Sequence, residues 1–168
     1  MIHLAMDPSL KAFAYVVYDD SSNKILEAGC IRTDKAKKGE KKVTDDDAER
    51  LHYIAETLKD ILGRFRVDQI HAEIPIGAQS FNAAKALYGV RAIVLSIHVF
   101  LGIPLNVFRA KDIKASLTGD VNAEKDAVYA AVLEKYPSIR EHCEGVTKEK
   151  KEAISDAMAV FYYYDNNK

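Results

Sequence analysis

Two carboxylates occupy similar places in the chain, each at the end of an apolar run and close before a proline. Asp7 follows the apolar residues 1–6 and precedes Pro8, and Glu73 is separated from Pro75 by one residue. Because proline cannot donate to a sheet ladder and favours an extended residue before it, we predict both acids at the carboxyl ends of strands. An open α/β sheet places its ligands at that edge. Asp-Pro is also typical of a turn, which is the competing interpretation of Asp7 taken alone.

A third carboxylate, Asp156, lies in the last segment with helical apolar periodicity. On a helical wheel it points away from the buried side, and Glu152 and Glu149 lie one and two turns earlier on nearly the same line. Three converging acids repel one another unless a cation neutralises them. Oxygen ligands without His or Cys favour Mg²⁺ or Mn²⁺, and two such ions roughly 4 Å apart can activate water for phosphodiester hydrolysis. The competing interpretation is three solvated surface acids in a chain with 25 Asp and Glu residues.

Apolar periodicity predicts the elements that must position these acids. Three strands joined by short turns imply an antiparallel meander, and two further strands each follow a helix. This order predicts an α/β fold with a five-stranded mixed sheet and helices on both faces, in which the first and fourth strands are neighbours. The predicted strands are 1–7, 11–18, 24–31, 67–74 and 105–108, and the predicted helices are 48–65, 78–101, 122–136 and 148–164.

Three segments of this layout carry further predictions. The helix 78–101 is rich in small residues, including Gly89 and Ala92, which favour either a dimer face or close packing on the chain's own sheet. The segment Thr33 to Asp47 is charged and poor in apolar residues, which predicts a mobile loop. Asn122 is expected to cap the helix that follows it, with Lys125 in the first turn.

Composition limits the classes of function. The chain has 168 residues, the size of one domain, and its net charge of -1 means that any nucleic-acid binding must come from local clusters of cations. Two distant cysteines, Cys30 and Cys143, favour a reducing compartment, and the N-terminus has no signal-peptide pattern, so we expect a cytoplasmic protein. Arg91 and His98 interrupt the longest apolar stretch, which predicts no membrane span.

Six segments in order resemble the RuvC family of Holliday junction resolvases, within the ribonuclease H superfamily. Met6-Asp7-Pro8 is similar to the family's opening Ile-Asp-Pro, Ala123-Glu124-Lys125 matches its Ala-Glu-Lys, and residues 155–159 resemble its terminal Ala-Asp-Ala-Leu-Ala helix. The other three are 29–33, 70–73 and 86–96, the last resembling the helix that pairs in the family dimer. The likeness covers almost the whole length and implies one ribonuclease H-like nuclease domain over residues 1–168.

The resemblance implies a divalent-metal-dependent endonuclease that resolves four-way DNA junctions by paired symmetric nicks during recombination and repair. It implies Asp7, Glu73 and Asp156 as metal ligands, with two Mg²⁺ or Mn²⁺ ions in each site. It also implies Lys114 and Lys125 as basic residues near the scissile phosphate, where lysines stabilise charge and contribute DNA affinity. Further DNA contacts are expected from Lys111, Lys148 and Lys151. The expected assembly is a homodimer through the helix 78–101.

The chain departs from the family pattern at four places. Ala153 stands where the family commonly has an acid or histidine, so Glu152, or failing that Glu149, would replace the fourth ligand. Ser9 replaces a glycine after Asp-Pro, and Ile76 replaces an aromatic residue expected to wedge into the junction. The lysine-rich loop from residue 35 to 47 is longer than usual, and it could contact a DNA arm or be a solvated charge run. The compact chain and these altered motifs would fit a phage or mobile-element relative.

Three other functions compete with the leading prediction. A non-catalytic junction-binding scaffold is favoured by Ala153. A ribonuclease H-like nuclease acting on RNA, flaps or forks shares the predicted fold. An actin-like ATPase shares the sheet topology but needs a glycine-rich phosphate loop after its first aspartate, and residues 7–11 contain no glycine.

Overall fold

The fold is built on one mixed sheet, seen in a computed structural model that describes residues 1–74 and 81–168, apart from the side chain of Asn82. The strand order in the sheet is β3-β2-β1-β4-β5. The strands are β1 (Ile2–Asp7), β2 (Ala12–Asp19), β3 (Lys24–Arg32), β4 (Gln69–Glu73) and β5 (Leu105–Phe108). This architecture confirms the predicted α/β class and the five-stranded mixed sheet.

The register of the sheet explains why the acids meet. β1 pairs antiparallel with β2, so that Met6 lies opposite Tyr15, and it pairs parallel with β4, so that Met6 lies opposite Ala72. Because parallel strands end at the same edge, Asp7 and Glu73 finish neighbouring strands side by side. The prediction that the first and fourth strands are neighbours is therefore confirmed.

Helices cover both faces of the sheet, as predicted. One core contains the inner sides of α1 and α2 against Leu4, Met6 and Phe13, and the other contains α3 to α6 against Ala5, Ala14 and Val16. Successive strand residues point to opposite faces, which places the even residues of β1 in the first core and the odd ones in the second. The helices are α1 (Val43–Arg64), α2 (Phe81–Leu101), α3 (Ala110–Thr118), α4 (Lys125–Lys135), α5 (Ile139–Cys143) and α6 (Lys148–Asn166).

Several predicted boundaries were wrong. α1 begins at Val43, five residues before the predicted start, because Asp45 and Asp46 lie in its first turn, where acids favour a helix. Asn122 is not the cap of α4; Glu124 takes that position, and the backbone N–H of Asn122 donates to Asp120 in the preceding turn. The short helices α3 and α5 were not predicted. The predicted start of the second helix at Ala78 lies outside the described residues.

One of the small residues of α2, Gly89, packs closely against α1 within the same chain. A Cβ atom on Gly89 would lie 2.8 Å from Leu51 Cδ1 of α1, so a larger residue there would require the end of the Leu51 side chain to shift. Residues 83–101 of this helix are long and apolar enough to cross a membrane by length and composition alone. We had expected Arg91 and His98 to make this stretch too polar to span a membrane. By length and composition alone, that expectation was wrong.

Candidate active site

The site begins at the sheet edge where β1 and β4 end. Asp7 is the last residue of β1 and Glu73 the last of β4, and both side chains are partly buried. Pro8 is itself buried and ends the strand immediately after Asp7. The two carboxylates are therefore presented side by side by rigid backbone.

The third acid comes from α6, which packs across β1, β2 and β4. Thr147 caps this helix by accepting from the backbone N–H of Lys150, at 3.4 Å. Ala153, Ala157 and Val160 bury the helix in the core, and Asp156 projects at the edge of that buried face with 21% of its side chain exposed. The helix thus brings Asp156 over the ends of the two strands.

All three carboxylates have raised pKa values. Burial and the charges of Glu73 and Asp156 raise the pKa of Asp7 well above its usual value. Burial and then the charge of Asp156 raise the pKa of Glu73 to about 7. Burial raises the pKa of Asp156 to about 6, and nearby Glu152 adds to the rise. The three acids predicted from the sequence therefore form one interacting group with unfavourable mutual repulsion.

Two lysines oppose this repulsion. Lys125, at the start of α4, places its Nζ atom 3.9 Å from Asp156 Oδ2. Lys114 of α3 donates to the carbonyl oxygen of Ala123, at 2.9 Å, which ties it to the segment that leads into α4. The positive charges of both lysines lower the pKa values of Glu73 and Asp156. Both predicted lysines therefore lie at the acidic site.

Glu152 and Glu149, the two candidates for a further ligand, occupy different surroundings. Glu152 lies 3.5 Å from Lys125 Nζ and 3.7 Å from Lys148 Nζ, and 16% of its side chain is exposed. Glu149 points instead to Arg32 at the end of β3, with which it forms an ion pair on the surface. Ala153 is buried in the core. Glu152 is therefore the acid that shares the site with Asp156.

The donor chemistry of the site suits a hard divalent cation. Among residues 1–74 and 81–168, no three His, Cys, Asp or Glu side chains already form a compact metal-binding cluster. Asp7, Glu73 and Asp156 are partly buried together, and the pKa of each carboxyl is raised. Their negative charges therefore repel one another when ionised. A divalent cation between them would remove that repulsion, and oxygen-only ligands match Mg²⁺ or Mn²⁺. The residues therefore fit such an ion.

Comparison with known proteins identifies the family. A profile described as "Crossover junction endodeoxyribonuclease RuvC" matches residues 3–162. The chain belongs to the RuvC family. The crossover junction endodeoxyribonuclease RuvC of Methylococcus capsulatus is 29% identical over 126 residues, which cover 74% of this chain and 71% of that protein. The family resemblance and the enzyme class, an endodeoxyribonuclease, are thereby confirmed.

Solved structures agree with the fold. Thermus thermophilus RuvC in complex with a Holliday junction substrate superposes with a TM-score of 0.71 at 16% identity, covering 98% of this chain and 96% of that one. The yeast mitochondrial Holliday junction resolvase gives a TM-score of 0.68 at 12% identity, covering 96% of this chain and 76% of that one. The described sheet and helices are therefore those of the RuvC fold, which confirms the predicted ribonuclease H-like class.

Other predicted residues of this RuvC family member lie at varying positions around the site. Lys148 is at its rim, 3.3 Å from Asp126 and within ion-pair distance of Glu152. Lys111 is exposed on α3. Lys151 is on another side of α6, with its Nζ 5.1 Å from the centre of the Tyr129 ring, and does not join the acids. Ile76 lies outside the described residues, and Ser9 accepts weakly from the N–H of Ala12, at 3.4 Å.

Sequence reasoning missed a buried polar chain on the same face of the sheet as the RuvC acids. His3 Nδ1 lies 2.9 Å from His71 Nε2, and both side chains are buried. His3 Nε2 contacts Asp20, and His71 Nδ1 contacts the side-chain nitrogen of Asn106. Burial and the neighbouring His3 lower the pKa of His71 to about 3, so this ring is neutral. The sequence does contain a signal for this pairing. His3 lies four residues before Asp7 and His71 two residues before Glu73, so in a strand each histidine points to the same face of the sheet as the acid that follows it.

Proposed function

We propose that this protein is a metal-dependent, structure-specific endonuclease that resolves four-way DNA junctions by paired symmetric nicks, in the cytoplasm. The observation that carries the proposal is the convergence of Asp7, Glu73 and Asp156 with Lys114 and Lys125 at one edge of the sheet. Such a set combines ligands for cations with positive charges for a phosphate. The relatives named crossover junction endodeoxyribonucleases support the same reaction for this chain.

The carboxylates would bind two Mg²⁺ or Mn²⁺ ions. Asp7 and Glu73 supply oxygen atoms from neighbouring strand ends, and Asp156 completes the site from α6. Glu152 is the best-placed substitute for the acid or histidine that Ala153 replaces, because it lies one helical turn before Asp156 and faces the same lysine. When bound, the ions would provide an activated water and charge stabilisation for phosphodiester hydrolysis.

The lysines would neutralise the phosphate. Lys114 is held by its hydrogen bond to Ala123, and its charge lowers the pKa values of Glu73 and Asp156. Lys125 is 58% exposed and contacts Glu152 and Asp156 at 3.5 and 3.9 Å, distances typical of weak, exchangeable ion pairs. Because these ion pairs exchange readily, Lys125 would be free to contact a phosphate at the site. Lys148 and Lys111 would contact phosphates farther along the strand.

The exposed side of α2 supports a homodimer. Four large apolar residues of α2 follow one another at intervals of seven, seven and four residues, which are two, two and one helical turns. They are Phe81, Tyr88, Leu95 and Val99, and between 40% and 80% of each is exposed. On a helical wheel these four residues fall on one stripe. An apolar stripe of this kind is typical of a protein interface. Two copies paired through α2 would present two active sites related by a twofold axis, as paired nicks require.

Cleavage of a synthetic four-way junction tests the proposal. In the presence of Mg²⁺ or Mn²⁺ we expect two nicks at symmetric positions, and we expect none with chelator. Asp7→Asn should abolish the nicks. Asp60→Asn, which removes an exposed carboxylate on α1, is the matched control and should cut as the wild type does.

The substrate panel separates the competing functions. Tight junction binding without nicks under any divalent ion would replace the nuclease with a junction-binding scaffold. Equal cutting of RNA, flaps, forks or linear duplex would favour a less selective ribonuclease H-like nuclease. Unchanged cutting by the Asp7→Asn variant would refute the assignment of the active site.

A further inference from the structure

The loop of residues 33–42, between β3 and α1, is fixed to the body of the protein at its first residue. Arg50 of α1 donates from Nε to the Thr33 hydroxyl, at 2.9 Å, and from Nη2 to the Thr33 carbonyl oxygen, at 3.2 Å. The Thr33 hydroxyl in turn donates to the carbonyl oxygen of Leu10, and the Thr33 N–H donates to that of Lys11. The loop therefore begins from a rigid, mostly buried anchor.

A second anchor holds the middle of the loop. Asp46 is buried, accepts from the backbone N–H of Ala36 at 3.0 Å, and lies 3.7 Å from Arg50. Beyond it, the Lys37 N–H donates to the Glu40 side chain and the Glu40 N–H donates to the Lys37 carbonyl, which forms a turn. Gly39, with a φ of 92°, supplies the left-handed conformation that this turn requires. The charged segment is thus tied to α1 by hydrogen bonds, and residues 43–47 belong to α1 and not to the loop predicted from its composition.

The anchored loop directs its positive charges outward. It contains five lysines against two acids, Asp34 and Glu40, and all five lysines are exposed. Lys41 pairs with Glu49. Within residues 1–74 and 81–168, the other four lysines form no ion pair, whereas the acids of the first turn of α1 face Arg50 and Lys85. The four unpaired lysines are Lys35, Lys37, Lys38 and Lys42.

This basic loop adjoins the candidate active site. Its anchor is on residues 10 and 11, which directly follow the turn after Asp7. Lys11 and Arg32, at the two strand ends beside the anchor, both lie close enough to Glu149 to lower its pKa. Lys125 also lowers that pKa, though less. Positive groups therefore extend from the acidic site, past Glu149, to the loop.

We propose that the loop of residues 33–42 binds the phosphate backbone of a duplex DNA arm that leaves the active site. This inference rests on the proposed function, because it takes the same branched DNA as the ligand. A pinned backbone reduces the entropy lost when a lysine is held against a phosphate. The loop would therefore add sequence-independent affinity and fix one arm, while the carboxylates and Lys114 act on the scissile phosphate.

The salt dependence of junction binding tests the loop. The variant K35Q/K37Q/K38Q/K42Q is compared with K24Q/K59Q/K135Q/K168Q, which removes the same charge from exposed lysines elsewhere. Each lost phosphate contact lowers the slope of log Kd against log salt by about 0.9, so the loss of four contacts should lower the slope for the loop variant by about 3.6. We expect its affinity for a long-armed junction to fall at least about tenfold. The control variant should bind as the wild type does.

Arm length distinguishes a direct contact from a structural effect. On a junction whose arms are too short to reach beyond the active site, the loop variant and the wild type should bind alike. Equal salt slopes for the loop variant and the wild type on long arms would overturn the proposal, and so would an equal loss of affinity on short arms. Single Lys38→Glu supplies a second variant, expected to weaken long-arm binding more than Lys38→Gln. A wild type that binds junctions without cutting them would refute the proposed nuclease but leave this comparison decisive.

Discussion

Lys125 holds its ammonium group 3.9 Å from the carboxylate of Asp156, and 3.5 Å from that of Glu152. The lysine belongs to the first turn of α4 and the two acids to successive turns of α6, so the ion pairs join two helices at the active site. More than half of the lysine side chain is exposed, which limits the stability that these pairs contribute. Their proposed role is therefore electrostatic, because they hold a movable positive charge beside the acids.

Replacement of Lys125 with methionine should slow cleavage. The variant keeps the aliphatic stem but loses the charge that stabilises a phosphate in the transition state, and loss of one such group typically costs about 10² to 10³ in rate. We expect kcat on a four-way junction to fall in that range, with a smaller change in KM. Lys135→Met, at the far end of the same helix, is the control and should cut normally. A loss of less than about threefold would remove Lys125 from the catalytic group.

Neutralisation of Asp7 should stabilise the protein in chelator while it abolishes cleavage. Asn preserves the shape of the side chain and removes a buried charge that Glu73 and Asp156 repel. We expect the free energy of unfolding at neutral pH to rise by about 1 to 3 kcal/mol, as when other unfavourable buried charges are replaced. Denaturant unfolding measures it, with Asp60→Asn as the exposed control. In saturating Mg²⁺ the difference should shrink or reverse, because the ion stabilises the wild type more.

Metal binding should weaken as the pH falls. Glu73 has its pKa raised to about 7 and Asp156 to about 6, so in the metal-free protein both carboxylates bind protons in a range where ordinary acids are ionised. Protons and metal compete for the same oxygen atoms, so the apparent affinity for Mn²⁺ should be full only above about pH 8 and should decline as the pH falls through 7 and 6. Calorimetry in buffers of different ionisation enthalpy should detect proton release near pH 6.5. Affinity that stays constant from pH 8 to 5 would contradict the raised pKa values.

The exposed apolar stripe of α2 should hold two copies of the chain together as a homodimer. Leu95→Glu together with Val99→Glu places charges in the centre of the proposed interface, and buried unpaired charges oppose association. We expect the variant to sediment as a monomer, to remain folded because both positions are exposed in one copy, and to lose paired nicking. Glu substitutions at His52 and Thr57 on α1 add the same charge elsewhere and should leave the sedimentation coefficient unchanged. A wild type that sediments as a monomer at all concentrations would rule out the stripe as a dimer interface.

The sequence predicted the sheet and the acidic group well because both follow from periodicity and strand ends. Prolines after two apolar runs marked the ends of β1 and β4, and the apolar stripe of α6 indicated where Asp156 must lie. The start of α4 was wrong because Asn122 is an equally good turn former, and Asp120 decided the local hydrogen bonding. The contacts that anchor the loop 33–42 could not be predicted because they come from Arg50 and Asp46, whose partners lie 17 and 10 residues away in the sequence.

The pairing of His3 with His71 could not be predicted because it depends on the parallel register of β1 and β4. The three contacts join His3 Nε2 to Asp20, His3 Nδ1 to His71 Nε2, and His71 Nδ1 to the side-chain nitrogen of Asn106. Tyr164 stacks on the His71 ring, with the two centroids 3.9 Å apart. Burial, and then the neighbouring His3, lower the pKa of His71 to about 3, which explains why the ring stays neutral.

The neutral His71 predicts a specific loss of stability in acid. Its pKa is about 3 in the folded protein against about 6.5 in an unfolded chain, so below pH 6.5 only the unfolded state binds this proton. The contribution of the neutral His71 to the free energy of unfolding is present in full above pH 6.5. As the pH falls from there to the pKa of the folded state, this contribution decreases by up to about 1.4 kcal/mol for each pH unit. Denaturant unfolding of His71→Gln should therefore show a shallower decline between pH 6 and 4 than the wild type. The exposed His52→Gln control should keep the wild-type slope; a matching slope in His71→Gln would show that His71 is protonated in the folded protein.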